Sequence, residues 1–262
     1  MNNFDDESNI LDYYRTGYDP REVYLLAANA ASESIAAWIV DESIWLDSSG
    51  KDAPPPDFHS PQHSLMMEVM RVDDHAYKNK KGKVVNPTNM RESQLQRELE
   101  QAGIHEIAPN LQQVFCNAVT DLPTHEDHNY TFYRKNFVRA VEKHIEKIPL
   151  YRKNHPGHKL IFFVMDESTA YLQAESEQHI RDFVVPGQCT SGYPHQHWKD
   201  RAFLSPFVDA DVDYLVWYTP FKHMQIDGGG VLPLPTTCLF DLKNDKLELE
   251  EYNEDMMVSF VA

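Results

Sequence analysis

The chain alternates short apolar runs with longer polar stretches of helical periodicity. Residues 160–165 (LIFFVM) form an unbroken apolar run, the pattern of a strand covered on both faces, and the run ends in Asp166-Glu167-Ser168. Residues 65–72 (LMMEVMRV) read the same way, interrupted only by Glu68 and Arg71, while 111–119 (LQQVFCNAV) and 214–218 (YLVWY) add two further strands. Earlier in the chain, 41–47 (DESIWLD) predicts a short strand stopped by Ser48-Ser49-Gly50. The triple proline at 54–56 excludes helix and delivers the chain extended into a strand that begins at Asp57 and Phe58.

Between these runs the period changes. A helix over 20–40 is predicted, opened by Pro20 and carrying Val23, Leu26, Ala27, Ala30, Ile35 and Trp38 near helical spacing. A second spans 87–102, from a capping residue at its start to a stop at Gly103. A long basic helix or helix pair spans 127–154, with Phe132, Phe137, Val138, Val141, Ile145 and Ile148 on its apolar side and a break at Pro149. A polar helix is expected near 175–183, a loosely ordered lead-in over 1–19, a basic loop or hairpin tip over 78–86, and a loop-rich end holding Gly228-Gly229-Gly230. Without a repeat or a Gly/Ser linker, the pattern predicts one elaborated α/β domain over 1–262, a mixed central β-sheet flanked by helices.

Composition narrows the function classes. The 42% apolar and 11% aromatic content of these 262 residues supports a packed core, and no apolar run approaches the roughly 20 residues of a membrane span. The acidic start MNNFDDESN lacks the basic region of a signal peptide, so a soluble, cytoplasmic protein without a membrane partner is expected. Cys116, Cys189 and Cys238 have no CxxC spacing and read as buried thiols. The net charge of −17 argues against broad contact with a phosphate backbone, yet its distribution is uneven: −11 over 1–75, +5 over 76–159 and −11 over 160–262. Only the middle third can form a basic face, and Lys78, Lys80, Lys81 and Lys83 are its candidate nucleic-acid contacts, although charge runs commonly do no more than solvate a surface.

Two acids stand out. Pro56-Asp57 opens one predicted strand, and Glu68 falls 11 residues later on the next, a separation suited to antiparallel neighbours joined by a short turn. Glu68 shares a strand face with Met66, Met70 and Val72, where a carboxylate is costly unless paired, protonated or coordinated. The order helix, strand, Pro-Asp strand, Glu strand, helix, strand over 20–119 resembles the PD-(D/E)XK, or restriction-endonuclease-like, nucleases. The resemblance implies a nuclease-like core at 20–119 with 120–262 as elaboration, and a Mg²⁺ or Mn²⁺ ion held by Asp57 and Glu68 against a scissile phosphate. It also implies a helix-borne acid, for which Glu42 or Glu33 is the candidate. The family's lysine position, two beyond the Glu, holds Met70, and Arg71 points to the opposite face. Arg91 or Gln94 on the following helix would have to reach back in its place.

Other chemistry is weaker. His195 and His197 in PHQH present two imidazoles on one side of an extended segment, a spacing open to Zn²⁺ or Fe²⁺, with Asp209, Asp211 and Asp213 as possible carboxylate partners. His125-Glu126-Asp127-His128 precedes a long helix and reads as its cap sooner than as a ligand set. Asp166-Glu167-Ser168 lies at the carboxyl end of a buried strand, where open α/β sheets place ligands. No GxxxxGK[ST], GxSxG or Cys-His pairing is present, so no nucleotide or organic cofactor is expected. Two readings follow: a Mg²⁺-dependent nuclease meeting DNA through the basic middle, or a catalytically inactive relative that binds a protein partner. The sequence leaves the oligomeric state open.

Overall fold

The computed structural model describes residues 7–48, 54–78, 81, 84–85, 128–177, 192–226 and 230–260. Its centre is a seven-stranded mixed sheet flanked by helices. In chain order the strands are β1 Val23–Leu25, β2 Leu46–Asp47, β3 Phe58–Ser60, β4 Leu65–Val72, β5 Tyr77–Lys78, β6 Val84–Val85, β7 Lys159–Asp166 and β8 Ala170–Ala174. They continue as β9 Gly192–Pro194, β10 Tyr214–Tyr218, β11 His223–Ile226, β12 Gly230–Pro233, β13 Thr237–Asp241 and β14 Met257–Phe260. The main sheet runs β1-β13-β10-β7-β4-β3-β2. The strands β4, β7 and β10 are mutually parallel, and the hairpin partners β3 and β13 run against them.

The continuous apolar runs became the central strands because both their faces are covered. On one face Met66, Met70, Leu160, Phe162, Val164, Leu215 and Trp217 pack under α3 (Tyr130–Ile145) and α4 (Ile148–Asn154). On the other, Met67, Val69, Ile161, Phe163 and Val216 pack under α1 (Glu7–Gly17) and α2 (Ala30–Val40). Short α5 (Arg201–Leu204) adds Phe203 and Leu204 to the first face.

Several expectations are corrected. The stretch read as a loose lead-in holds α1, anchored by the buried side chains Ile10, Leu11 and Tyr14. The helix expected from Pro20 begins only at Ala30, where Asn29 caps the amides of Ala31 and Ser32; Val23–Leu25 is instead an edge strand parallel to β13. Pro149 does not break the long helix. It sits in the first turn of α4, where a missing N–H costs nothing, and the chain turns earlier, at Glu146 and Lys147. Among the described residues the sheet draws on both parts of the chain: β1, β2, β3 and β4 come from 20–119, and β7, β10 and β13, which lie beyond it, are integral to the sheet and not an elaboration. Among them β13 (TCLFD), fully buried, lies in the part expected to be loop. The predicted helix at 87–102, the strand at 111–119 and most of the helix at 175–183 lie outside the described residues. No helix among the described residues is long and apolar enough to cross a membrane.

Candidate functional site

The turn between β3 and β4 is short, so the two strands pair antiparallel with Phe58 opposite Met67, a register that sets Asp57 across from Glu68. Both therefore point to the α3/α4 face. Asp57 is held in place by its neighbours: the Val69 amide donates to its Oδ2 at 2.8 Å, and the Ser48 amide donates to its carbonyl at 2.7 Å. The Ser48 hydroxyl donates to Pro56 O at 3.1 Å, and Asn154 from α4 donates to Pro55 O at 2.7 Å, so the proline segment is tied down on both sides.

Glu68 is 3% exposed in the middle of an apolar strand. Its Oε1 lies 2.5 Å from His144 Nδ1 and 3.7 Å from Lys147 Nζ. Burial and the same carboxylate raise the Tyr151 hydroxyl well above its ordinary range. Its Oε2 is buried without a hydrogen-bond partner among the described residues. Burial, reinforced by the charge of Glu68 and opposed by the Val69 amide, pushes the Asp57 carboxyl up to about 8; Glu7 at the start of α1 adds further repulsion. The arrangement is a pair of acids, Glu68 buried and Asp57 half-buried, with a third acid nearby and a lysine, a histidine and a tyrosine delivered from the α3–α4 junction.

Lys147, His144, Tyr151 and Glu7 were not among the residues picked out by sequence. A faint signal existed, since His144, Lys147 and Tyr151 recur at helical spacing across the junction, but nothing local ties that row to Glu68. The expected helix-borne acids Glu42 and Glu33 are exposed to solvent, while the charge of Glu7 helps to raise the Asp57 carboxyl. Met70, 3% exposed, is a core side chain. Arg91 and Gln94 lie outside the described residues.

The acid pair has a pH consequence whose sign follows from its burial. The folded state holds a proton on Asp57 that the unfolded chain, with an ordinary value of 3.8, gives up. That contribution to stability is complete below about pH 4 and is lost as pH rises through 8. Urea melts in EDTA at pH 5 and pH 9 are expected to show Asp57→Asn gaining on the wild type at pH 9 by on the order of 2 kcal/mol, solvent access moderating the full shift. Equal pH dependence of the two proteins would remove the buried-acid assignment.

A larger polar network occupies the carboxyl ends of β4, β7 and β10. Asp166, fully buried at the end of β7, accepts hydrogen bonds from Tyr133, from Trp217 Nε1 at 2.9 Å and from the Ser168 amide at 2.9 Å. Lys222 Nζ, also buried, lies 3.5 Å from Asp166 Oδ2, donates to Ser168 Oγ and to Thr169 O, and sits 4.6 Å above the Tyr133 ring. The Asp166-Glu167-Ser168 end of the strand is thus an ordered charge network. Glu167 pairs with Arg71.

The remaining candidates separate. His195 and His197 are buried: His195 Nε2 lies 2.7 Å from Asp200 Oδ2, and His197 is enclosed by Trp198 and Trp217 with Cys238 Sγ 3.8 Å away. Burial holds both imidazoles below their ordinary value. Asp211 and Asp213 do not join them, since both bind Arg152 at 2.9 Å. The Asp/His group whose ligand atoms converge among the described residues is elsewhere, at Asp74, His75 and His128. Of the basic middle, Arg134 pairs with Glu254 at 2.5 Å and Arg152 with the two aspartates, so acids from the last third neutralise part of the expected face. Lys78 lies in the β5–β6 hairpin and Lys81 is exposed at its turn; Lys80 and Lys83 lie outside the described residues. Comparison of the chain with protein-family models, with curated proteins and with solved structures gives no match.

Proposed function

We propose that the chain is a cytoplasmic, divalent-cation-dependent phosphodiesterase related to the PD-(D/E)XK nucleases, with Asp57 and Glu68 as the metal-binding pair and Lys147 as the cation of the site. The observation that carries the reading is the buried, unpartnered Oε2 of Glu68 beside Asp57. An orphaned carboxylate oxygen in a closed site is costly, and a hard cation satisfies it with the oxygen donors that Mg²⁺ or Mn²⁺ prefers. When bound, such an ion supplies Lewis-acid polarisation of a phosphate and a water of lowered pKa. The protein's own groups do the rest. Lys147, 3.7 Å from Glu68 and partly exposed, faces a substrate from the helix junction and offsets charge on phosphate oxygens, the role Met70 cannot fill. His144 and Tyr151 hold the Glu68 carboxylate in one orientation.

A second reading has its own support. His144 and Lys147 both engage Oε1 of Glu68 internally, which is also how a silent relative serving as a protein-interaction module would neutralise a leftover acid. Incubating the full chain with short single- and double-stranded DNA and Mn²⁺ or Mg²⁺ separates them. The nuclease reading expects cleavage that EDTA abolishes and that Glu68→Gln and Asp57→Asn lower by about a hundredfold or more. Cleavage that survives Glu68→Gln, or none with either ion, overturns it in favour of the interaction module.

A further inference from the structure

A second group of ligands lies apart from the acid pair, beyond the carboxyl end of β4. The chain leaves β4 through Asp73 and Asp74, and His75 then forms an isolated antiparallel bridge with His128 just ahead of α3. The Asn129 amide donates to Asp74 O at 3.0 Å, closing the junction. This bridge brings the two imidazole rings to 4.6 Å between centroids, with Asp74 between them and the strand. One ligand atom from each of Asp74, His75 and His128 lies within 4.8 Å of the others.

We infer that Asp74, His75 and His128 form a binding site for a divalent transition metal of the Zn²⁺ or Fe²⁺ class. Two imidazoles and one carboxylate are the donor set such ions select over Mg²⁺, because imidazole nitrogen is a softer ligand than oxygen. The spacing suits a shared ion. Two donors each about 2.05 Å from a tetrahedral ion are about 3.3 Å apart; Asp74 Oδ1 and His128 Nδ1 are separated by 2.9 Å, so a shift of a few tenths of an ångström lets them share one. The two atoms are at hydrogen-bond distance, and an ion would take the place of the proton between them.

The surroundings hold the carboxylate as metal sites commonly do. Asp74 is fully buried, and its other oxygen, Oδ2, accepts from the Tyr171 hydroxyl at 2.6 Å and from the Thr169 amide at 3.1 Å. These two donors fix the carboxylate plane and leave Oδ1 facing the imidazoles, the outer-shell support that sets ligand orientation. The nearby cation Lys222 is engaged by Asp166, Ser168 and Thr169, so it does not occupy the site. Both histidines are only partly buried, which gives an ion a way in. Three protein ligands leave positions open to water or substrate, as in catalytic metal centres and unlike closed structural ones. The position, past the ends of the parallel strands β4 and β7, is where open α/β sheets take ligands.

Equilibrium dialysis of the full chain against Zn²⁺ alone, followed by metal analysis, tests the site directly, and Co²⁺ substitution supplies a second readout through its visible absorption. About one equivalent of Zn²⁺ is expected for the wild type, with affinity falling at least tenfold in His128→Gln and again in His75→Ala, and with a Co²⁺ spectrum that both changes alter. Far-UV circular dichroism of each variant establishes that it is folded; His75→Ala, at a partly exposed position, serves if His128→Gln is not. No binding by the wild type, or binding and a Co²⁺ spectrum that neither substitution alters, overturns the site. Because Glu68 belongs to the other metal site, the dialysis is repeated in a Glu68→Gln background; a Zn²⁺ equivalent that persists there and is lost on adding His128→Gln keeps this result separate from the fate of the nuclease reading.

Discussion

Replacing Asp166 with alanine is expected to destabilise the protein by about 3–5 kcal/mol. The Asp166 carboxylate, with no solvent contact, accepts from Tyr133, Trp217 and the Ser168 amide and lies 3.5 Å from the buried ammonium of Lys222. Removing it leaves a hydroxyl, an indole N–H and an amide without their acceptor, and a cation without its counter-charge. Each buried donor left unpaired costs about 1–3 kcal/mol, and a lone buried charge more, although Lys222 can relieve part of that by giving up its proton. Burial already holds the Lys222 amine below its ordinary value. Asp166→Asn keeps the shape and one acceptor and is expected to cost less than Asp166→Ala. Urea denaturation followed by circular dichroism measures the difference, and a loss under about 1 kcal/mol for the alanine variant would show that the network contributes little.

Lys147→Met is expected to lower metal-dependent DNA cleavage by about a hundred- to a thousandfold, the scale of removing one positioned electrostatic group from a transition state. The reasoning rests on the phosphodiesterase reading and on geometry. Lys147 is the cation next to Glu68, and its side chain is 40% exposed, open to a substrate while still 3.7 Å from the carboxylate. Because the pair is partly solvated, its loss should change folding stability by no more than about 1 kcal/mol, so activity and stability separate cleanly. Single-turnover cleavage with saturating Mn²⁺, beside calorimetric Mn²⁺ binding, reads both. A rate within threefold of wild type would assign the cation role elsewhere. Transferring the lysine to the strand offers no rescue, since Met70 is 3% exposed within the core and a lysine there would bury an unpaired charge.

The sequence by itself determined the frame of this protein. The runs at 65–72, 160–165 and 214–218 are short and apolar at nearly every position, the pattern of a strand covered on both faces, and they are β4, β7 and β10 at the centre of the sheet. The pairing of Asp57 with Glu68 was legible as well, because a short turn leaves two flanking strands little choice but to pair antiparallel, and alternation then fixes the face. What escaped local reading depended on partners far along the chain. Val23–Leu25 is too short to declare itself and is a strand because the edge of β13 offers it hydrogen bonds. In the same way Thr237–Asp241, among turn-forming residues, is held in the sheet by β10 and β1.

The chemistry divides along the same line. A buried acid in an apolar strand announces that something must compensate it, but not what. Tertiary structure chose His144, Lys147 and Tyr151 for Glu68, Lys222 for Asp166, and a bridge across 53 residues that sets His128 against Asp74 and His75. Apart from the helical spacing of His144, Lys147 and Tyr151, these contacts leave no periodic trace, because the stabilisation of a charge depends on which groups the folded chain brings within a few ångströms, and hydrophobic patterning specifies only which faces are buried.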